Sequence, residues 1–355
     1  MKSSKVRSGL MLLPLLWLTG CNTVVLNPSG DIAAQQAHLV VVSTFLMLLI
    51  VVPVIVLTLL FAWRYRKNNT EAKYDPDWDH STKLELVIWG VPLLLIIVLG
   101  AITWISTHLL DPYRPLQRLD EKRPIPAGMT PMTVEVVALD WKWLFIYPEQ
   151  GIATVNELVT PIDRPIKFKI TASSVMNAFY IPAMAGMIYA MPAMETQLNA
   201  VMNKPGTYDG FSSNYSGAGF SHMRFKYHAM QNGDFDAWVA KTKAGGGELT
   251  RTDYVQLAKP SEKDPVRRYA AVDPSLYSAI VNLCVEPGTA CMAKQMHDDQ
   301  NRNAAAAAQR KAQHQASKNG NVGDIAKVAQ LGAEVCTTAD KPTISMKSNN
   351  ASVSN

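Results

Sequence analysis

The sequence predicts an α+β membrane protein, in which a two-helix transmembrane hairpin precedes an external antiparallel β barrel or sandwich with a C-terminal helical extension. Two long runs without a charged residue predict the helices, since each exceeds the roughly 30 Å of hydrocarbon that a helix must cross. Short stretches of alternating apolar and polar residues, separated by turn residues, predict the β domain. The net charge of +5 over 355 residues is mild and does not favour a nucleic-acid partner.

The first 20 residues have the pattern of a lipoprotein signal peptide. Basic residues precede an uncharged run at 8–20, which at 13 residues is too short to span a membrane. Leu18-Thr19-Gly20-Cys21 resembles a bacterial lipoprotein box, so we expect Cys21 to become the lipid-bearing N-terminus of the mature chain. The alternative is an ordinary signal peptide followed by an incidental cysteine.

The two charge-free runs cover residues 39–63 and 86–107, which are 25 and 22 residues long. They predict transmembrane helices at 39–63 and 86–108. Pro53 and Pro92 lie inside the runs, and spanning helices tolerate proline where neighbouring protein satisfies the freed carbonyl group. The alternative, two buried helices of a large globular domain, is disfavoured by the length of both runs.

The charges beside the runs predict the topology. The loop at 64–85 begins Arg64-Tyr65-Arg66-Lys67, whereas the segment 22–38 contains no lysine or arginine. The positive-inside rule therefore places residues 64–85 in the cytoplasm and residues 21–38 outside. Both ends of the mature chain are then external, in agreement with the signal peptide.

The β domain is predicted at residues 130–243. Residues 133–138, 166–171 and 223–228 have the composition or the period-two alternation of strands. Pro-Gly at 205–206 and Asn-Gly at 232–233 mark turns. About 114 positions are enough for one hydrophobic core.

The residues after the predicted β domain fall into two segments of different composition. Residues 250–299 are predicted to form an appended helical module. Residues 300–355 are polar, contain almost no aromatic residues and are predicted to be disordered, because such a segment buries too little apolar surface to offset its ordering entropy.

Four cysteines occur in the sequence. An external compartment is oxidising, so a disulfide between Cys284 and Cys291, which flank Pro287-Gly288, is predicted. Cys336 is then left over in the tail. None of these cysteines has metal-like spacing with a histidine.

The order of several motifs resembles subunit II of haem-copper respiratory oxidases over residues 30–245. Residues 80–89 resemble the family's entry into the second span, and residues 139–143 its tryptophan-rich strand. Residues 175–182 resemble the segment that carries the first copper-binding histidine. The resemblance implies a cupredoxin-like fold for the external domain.

The resemblance also implies where a dicopper centre would be held in the copper-bearing branch of the family. Five of those ligand positions carry residues that do not bind copper well, and Met223 is the surviving ligand-type residue; the five are Asn177, Ser212, Asn214, Ser216 and Phe220. Thiolates and imidazoles are the ligands that select copper. The sequence therefore predicts that this chain holds no metal and has no catalytic residue of its own.

These losses favour the quinol oxidase branch over the cytochrome c oxidase branch. Tyr189 stands at the family's acidic position before Ala190-Met191-Pro192, which fits a surface that no longer docks cytochrome c. The expected complex oxidises ubiquinol and reduces oxygen to water in a bacterial inner membrane. Its haems and copper belong to the large subunit I, and other small membrane subunits, membrane lipid and quinol complete the partners. The alternatives are a copper-bearing cytochrome c oxidase subunit II and a stand-alone membrane lipoprotein with a structural or copper-handling role.

Glu85 has two interpretations. A charge at the cytoplasmic end of a span can simply reach into the interface. The resemblance instead associates a glutamate at this position with proton entry into subunit I. Trp141 and Trp143, two residues apart, are expected to face one side of a strand and to serve packing.

Overall fold

The computed structural model describes residues 23–72 and 77–318. Two of its helices, α1 (Asp31–Arg64) and α2 (Thr82–Leu109), are long and apolar enough to cross a membrane. Helix α1 begins eight residues before the predicted span, with Asp31 in its first turn and Arg64 in its last, which complements the helix dipole. Most side chains of both helices are exposed in this chain, as expected of segments covered by lipid or by other protein.

Within the described residues, twelve strands form two sheets. They are β1 (Met132–Leu139), β2 (Lys142–Tyr147), β3 (Ile152–Val155), β4 (Glu157–Pro161), β5 (Ile166–Ala172), β6 (Asn177–Tyr180), β7 (Ile188–Ala190), β8 (Thr196–Ala200), β9 (Gly206–Ser212), β10 (Arg224–Met230), β11 (Gly247–Leu249) and β12 (Arg267–Val272). The seven-stranded sheet has the order β11-β12-β3-β2-β1-β5-β8, and the five-stranded sheet the order β4-β10-β9-β6-β7. The predicted α+β class with a β sandwich is confirmed.

The sheets are mixed rather than purely antiparallel. Strands β1 and β5 pair in parallel, as do β4 and β10, and β11 and β12. The chain leaves the seven-stranded sheet at β4 and returns as β5 on the other side of β1. This crossover gives β5 the direction of β1, which no local alternation pattern predicts.

Aromatic side chains fill the core between the sheets. Phe179 and Phe225, both from the five-stranded sheet, stack with ring centroids 5.6 Å apart. Trp143 meets the Phe225 ring edge-on at 5.8 Å, and Phe145 does so at 4.9 Å. Such pairs contribute about 0.5–1.5 kcal/mol each beyond their buried area.

The prediction that Trp141 and Trp143 share one face of a strand is wrong. Leu139 pairs with Lys142, so Asp140 and Trp141 form the two-residue turn between β1 and β2. Trp141 has a φ of 65°, the left-handed region that two-residue hairpin turns favour. Trp143 is buried in strand β2.

The segment after the predicted β domain contributes strands as well as helices. Helix α3 (Asn232–Gly245) is followed by α4 (Arg251–Leu257) and α5 (Leu276–Val281). Strand β12 lies between α4 and α5 and pairs with β3, so the sheet extends beyond the predicted boundary at residue 243. The helices bury a second apolar cluster on the outer face of this sheet, including Leu144, Val155, Tyr254, Leu276 and Ile280.

Helix α6 (Met292–Lys318) belongs to a second unit of the chain, which begins at Ala290. The prediction of disorder from residue 300 therefore differs from the structure, in which residues 300–318 are helical. The polar composition of this segment led to the prediction of disorder, but it also includes alanine at positions 304–308. Alanine has the strongest helix propensity of all residues, which favours a helix here.

Several predictions concern residues outside the described ranges. The signal peptide at 1–20, Cys21 and its lipidation, the tail at 319–355 and Cys336 all lie there. They stay predictions.

Candidate functional site

The predicted ligand positions meet at one end of the five-stranded sheet. Strands β6 and β9 pair antiparallel, with Phe179 opposite Ser212, so the start of β6 lies beside the end of β9. Strand β10 begins at the same end because Arg224 pairs with Phe211. The loop at 213–223 closes this end, and we refer to it as the vacated loop.

Hydrogen bonds join three of these positions. The Ser212 hydroxyl lies 3.1 Å from Asn177 Oδ1 and 3.2 Å from the Asn214 carbonyl oxygen, and it donates its proton to one of them at a time. It also accepts from the Ala178 amide at 3.3 Å. Both Ser212 and Asn177 are buried. The two side chains thus satisfy each other in a region where an unpaired polar group would be costly.

The other positions pack around Met223. The Ser216 hydroxyl lies 4.0 Å from Met223 Sδ, and the Met223 side chain is buried in the core of the sandwich. Phe220 is half-buried and meets the ring of Tyr215 at 5.5 Å. The structure therefore brings the six predicted positions into one neighbourhood.

Trp141 supports the vacated loop from the β1–β2 turn. Its indole Nε1 donates to the Ser216 carbonyl oxygen at 3.1 Å. A Cβ at Gly219 would lie 2.4 Å from Trp141 Cδ2, so the loop backbone rests directly on the indole ring. The alternation around Trp141 predicted a strand, and a strand would not have made this contact. The glycines of the loop were the signal that could have indicated a close approach.

The side chains at this site do not fit a dicopper centre. The six positions offer hydroxyl, amide, aromatic and thioether groups, and a thioether alone is a weak ligand beside the thiolates and imidazoles that copper prefers. The Ser212 hydroxyl and the Asn177 amide are also engaged with each other. Over residues 23–72 and 77–318, no group of three or more histidine, cysteine, aspartate or glutamate side chains is placed to hold a metal ion.

A buried lysine connects the sandwich to the following segment. The Lys142 side chain is 1% exposed, forms an ion pair with Asp264 at 3.1 Å and donates to the Lys259 carbonyl oxygen at 2.8 Å. Ser261 bonds to both Lys142 and Asp264. Burial raises the pKa of Asp264, but the hydrogen bonds from Ser261 and Lys142 outweigh burial and leave the pKa below its usual value. No local sequence pattern predicts this network, since Lys142 and Asp264 lie 122 residues apart.

A second ion pair fixes the added strand β12. Arg268 donates two hydrogen bonds to the Glu157 carboxylate, at 2.6 and 2.7 Å. This planar, two-bond geometry is the strongest arrangement for such a pair. Glu157 is nearly buried in β4, so the pair links strand β12 to the five-stranded sheet.

A titratable cluster lies on the outer face of the seven-stranded sheet. Glu135 is the register partner of Lys169, and Lys169 Nζ lies 3.9 Å from Glu195 Oε2. Burial raises the pKa of Glu135 to about 7, with Lys169 opposing the rise and Glu195 adding to it. The folded domain therefore keeps a proton on this carboxyl group to a higher pH than an exposed glutamate would.

Glu85 lies in the first turn of α2, away from the vacated loop in sequence and in fold. Its carboxylate pairs with His80 Nδ1 at 2.7 Å, and its side chain is about half exposed at 49%. His80 Nε2 lies 3.1 Å from the Thr82 hydroxyl. A proton-carrying role stays a prediction.

Cys284 and Cys291 are both disulfide-bonded in the structure. That the two cysteines are bonded to each other stays a prediction, which non-reducing peptide mapping would test.

Comparisons with known proteins agree on one family. Residues 149–230 match the family described as cytochrome c oxidase subunit II, periplasmic domain, and residues 243–288 match the COX aromatic rich motif. The chain is 49% identical over 270 residues to cytochrome bo(3) ubiquinol oxidase subunit 2 of Pseudomonas putida, covering 76% of this chain and 83% of that protein. It is 50% identical over 266 residues to ubiquinol oxidase subunit 2 of Acetobacter aceti, covering 75% and 84%.

Among solved structures, the chain is similar to the periplasmic domain of subunit II of cytochrome oxidase of Bradyrhizobium japonicum. The two are 23% identical with a TM-score of 0.32, and the match covers 34% of this chain and 97% of that one.

Proposed function

The chain belongs to the ubiquinol oxidase subunit 2 family, and we propose that it serves in a proton-pumping complex that oxidises quinol within the membrane and reduces oxygen to water. Family membership confirms the resemblance seen in the sequence and makes the chain a component of an oxidoreductase complex. The subunit itself is structural, without a catalytic residue.

The side chains of Ser212 and Asn177, at the ends of β9 and β6 beside the vacated loop, support this proposal most directly. In a copper-bearing relative, electrons would enter through a water-exposed metal centre on the external domain. Here the Ser212 hydroxyl and the Asn177 amide occupy those positions and bond to each other instead. Quinol is lipid-soluble and delivers electrons at membrane depth, so no relay metal is required on the external domain.

The partner that performs the chemistry is the large haem-copper subunit I, which would hold the haems and copper and receive electrons from ubiquinol. Other small membrane subunits complete the complex. Tyr189, which is 41% exposed on β7, gives the external domain no carboxylate at the position where the copper-bearing branch is acidic. This supports a complex that does not dock cytochrome c.

The proposed location is a bacterial inner membrane. Helices α1 and α2 cross it, residues 64–85 lie in the cytoplasm, and the β domain lies in the periplasm. A lipid on Cys21 would anchor the N-terminus on the periplasmic side. The cluster of positive charge at Arg64, Arg66 and Lys67 supports this orientation.

Glu85 is proposed to feed protons to subunit I from the cytoplasmic side. Its side chain lies at the cytoplasmic end of α2, half exposed and paired with an exposed imidazole. The carboxylate and the imidazole lie 2.7 Å apart, and both side chains are accessible to water. The position supports the role that the family resemblance implies.

Purification of the chain through an affinity tag tests the proposal. Co-purification with haem, ubiquinol oxidase activity and no stoichiometric copper in the external domain would support it. A dicopper signal from the external domain would instead favour a cytochrome c oxidase subunit. Purification of the chain alone, without a haem-bearing partner, would favour a stand-alone lipoprotein.

A further inference from the structure

A pocket of about 200 Å³ lies where the helix hairpin meets the β domain. The start of α1 and the loop that follows α2 form its walls. That loop is fixed in place, because the Pro112 carbonyl oxygen accepts hydrogen bonds from the Asn199 amide at 3.0 Å and from Asn199 Nδ2 at 3.1 Å. The pocket is therefore a built feature. It lies just beyond the apolar end of α2, where the headgroup layer would be if α2 spans a bilayer.

One pair of charges in the pocket is already satisfied. The Asp31 side chain is 4% exposed and lies 3.0 Å from Arg118 Nε. Gln35 donates to the same carboxylate at 2.7 Å. These contacts neutralise Asp31 and Arg118 and leave them with a structural role.

A second pair of charges is not satisfied. Arg114 is half-buried, donates to the His108 carbonyl oxygen at 3.5 Å, and forms no ion pair within the part of the chain that the structure describes. Asp111 accepts from the Tyr113 amide at 2.9 Å, and its carboxylate also forms no ion pair among the described residues. Among the described residues, the pocket thus presents one guanidinium group and one carboxylate that have no ion-pair partner.

An apolar strip leads from the pocket into the membrane. Leu109 lines the pocket and is 51% exposed, and Ile105 and Val98 are 56% and 38% exposed. Spacings of four and seven residues place these side chains on one face of α2. A hydrocarbon chain whose headgroup fills the pocket would lie along this face.

We propose that the pocket binds the headgroup of a zwitterionic phospholipid that carries a primary ammonium group. Arg114 would hold the phosphate, since a guanidinium group matches phosphate oxygens with two parallel hydrogen bonds. Asp111 would accept a hydrogen bond from the ammonium group, and the acyl chains would follow Leu109 and Ile105. The inference requires only that α1 and α2 span a membrane, so it goes beyond the proposed oxidase function.

Headgroup chemistry provides the test. Native mass spectrometry of the detergent-purified protein, with whatever subunits accompany it, would measure binding of phosphatidylethanolamine, phosphatidylcholine and phosphatidylglycerol with identical acyl chains. We expect phosphatidylethanolamine to bind most tightly. A choline group has no N–H to offer Asp111, and a glycerol group has no cation.

Two variants and one control complete the experiment. Arg114→Gln should weaken phosphatidylethanolamine binding at least about tenfold, as expected for the loss of a charged hydrogen-bond donor. Asp111→Asn should remove the preference for phosphatidylethanolamine over phosphatidylcholine. Lys122→Gln changes an exposed cation outside the pocket and should leave binding unchanged.

Equal binding of the three lipids by the unmodified protein would overturn the proposal without any variant. Tightest binding of phosphatidylglycerol would also overturn it, because that result indicates an anionic-lipid site. Unchanged binding by Arg114→Gln, or an equal loss in Lys122→Gln, would do the same. The measurement needs neither haem nor turnover, so its failure is separate from a failure of the oxidase proposal.

Discussion

Lys142 and Asp264 form an ion pair at 3.1 Å across 122 residues of sequence, with the lysine side chain only 1% exposed. The lysine makes this contact from β2, whose other side chains are aromatic or aliphatic and buried. Its ammonium group uses its three hydrogens on Asp264, Ser261 and the Lys259 carbonyl oxygen. The pair therefore couples the sandwich to the segment that carries α4 and β12.

Removal of the two partners should have unequal effects. Asp264→Ala leaves the Lys142 charge buried and should cost about 3–5 kcal/mol. Lys142→Met should cost less, about 1–3 kcal/mol, because Asp264 keeps Arg267 at 2.9 Å and the Ser261 hydroxyl. Chemical unfolding of the purified protein in detergent measures both. Equal costs, or a larger cost for Lys142→Met, would contradict this account.

Acid should weaken the same contact. The pKa of Asp264 is lowered in the folded chain, so its stabilising contribution is present above its ordinary pKa of about 3.9 and is lost as the pH falls through the folded value. The difference in stability between the unmodified protein and Asp264→Asn should therefore shrink below about pH 4.

Glu135 should have the opposite pH dependence. Because burial raises its pKa from 4.5 to about 7, the folded chain keeps a proton that the unfolded chain releases, and stability falls as the pH rises from 4.5 toward 7. Glu135→Gln removes this loss. We expect its melting temperature to exceed that of the unmodified protein by about 2–4 °C at pH 8, allowing for solvent screening, and to match it near pH 4.5.

The control for Glu135→Gln is Glu149→Gln, which changes a carboxylate paired with Arg164 at the surface of the same domain. It should give no gain at pH 8. A gain for Glu135→Gln of equal size at pH 4.5 and pH 8 would show that charge at Glu135 is not the cause.

Gly210 makes room for the aromatic core. It lies opposite Phe225 on the neighbouring strand, and a Cβ at this position would lie 2.1 Å from Phe225 Cζ. Gly210→Ala should therefore destabilise the protein by about 1–3 kcal/mol through overpacking. Gly233→Ala is the matched control, since a Cβ there meets no atom within 4 Å. Thermal unfolding compares the two.

A double variant tests whether the Phe225 ring is the source of the overpacking. Phe225→Leu removes the ring that the new methyl group would meet, so Gly210→Ala should cost much less in that background. An unchanged cost would contradict overpacking against the Phe225 ring as the cause.

The sequence predicted the elements whose signals are local. Charge-free length predicted α1 and α2, and alternation at 166–171 predicted β5. Strand β12 was missed because Arg267 and Arg268 obscure its apolar pattern, and its place in the sheet depends on pairing with β3 more than 100 residues earlier. A local pattern does not encode such a partner.

At the candidate site, too, the sequence predicted some features, while others depend on tertiary contacts. The family resemblance selected Asn177 and Ser212, and the pairing of β6 with β9 brings them together. The contact of Trp141 with the vacated loop depends on a two-residue turn with a positive φ, which a strand-like sequence conceals. Tertiary packing determines the conformation of this turn. The glycines of the vacated loop allow its backbone to approach the Trp141 indole ring closely.

Glu85 provides the functional prediction for the complex. If this carboxylate passes protons to subunit I, Glu85→Ala should lower oxygen consumption and proton release together in proteoliposomes by about 100-fold or more, since a positioned acid–base group contributes about 10²–10⁴-fold. Glu85→Asp should recover much of the activity, because it restores a titratable oxygen near the same position.

His80→Ala distinguishes this role from helix anchoring. It removes the 2.7 Å ion pair but leaves the Glu85 carboxylate in the first turn of α2. If Glu85 only anchors the helix through His80, then His80→Ala should lower turnover as strongly as Glu85→Ala. If Glu85 carries protons, His80→Ala should retain most of the turnover, since bulk water can still protonate an exposed carboxylate. Normal turnover in an intact Glu85→Ala complex would exclude the proton-carrying role, because the complex would then work without this carboxylate.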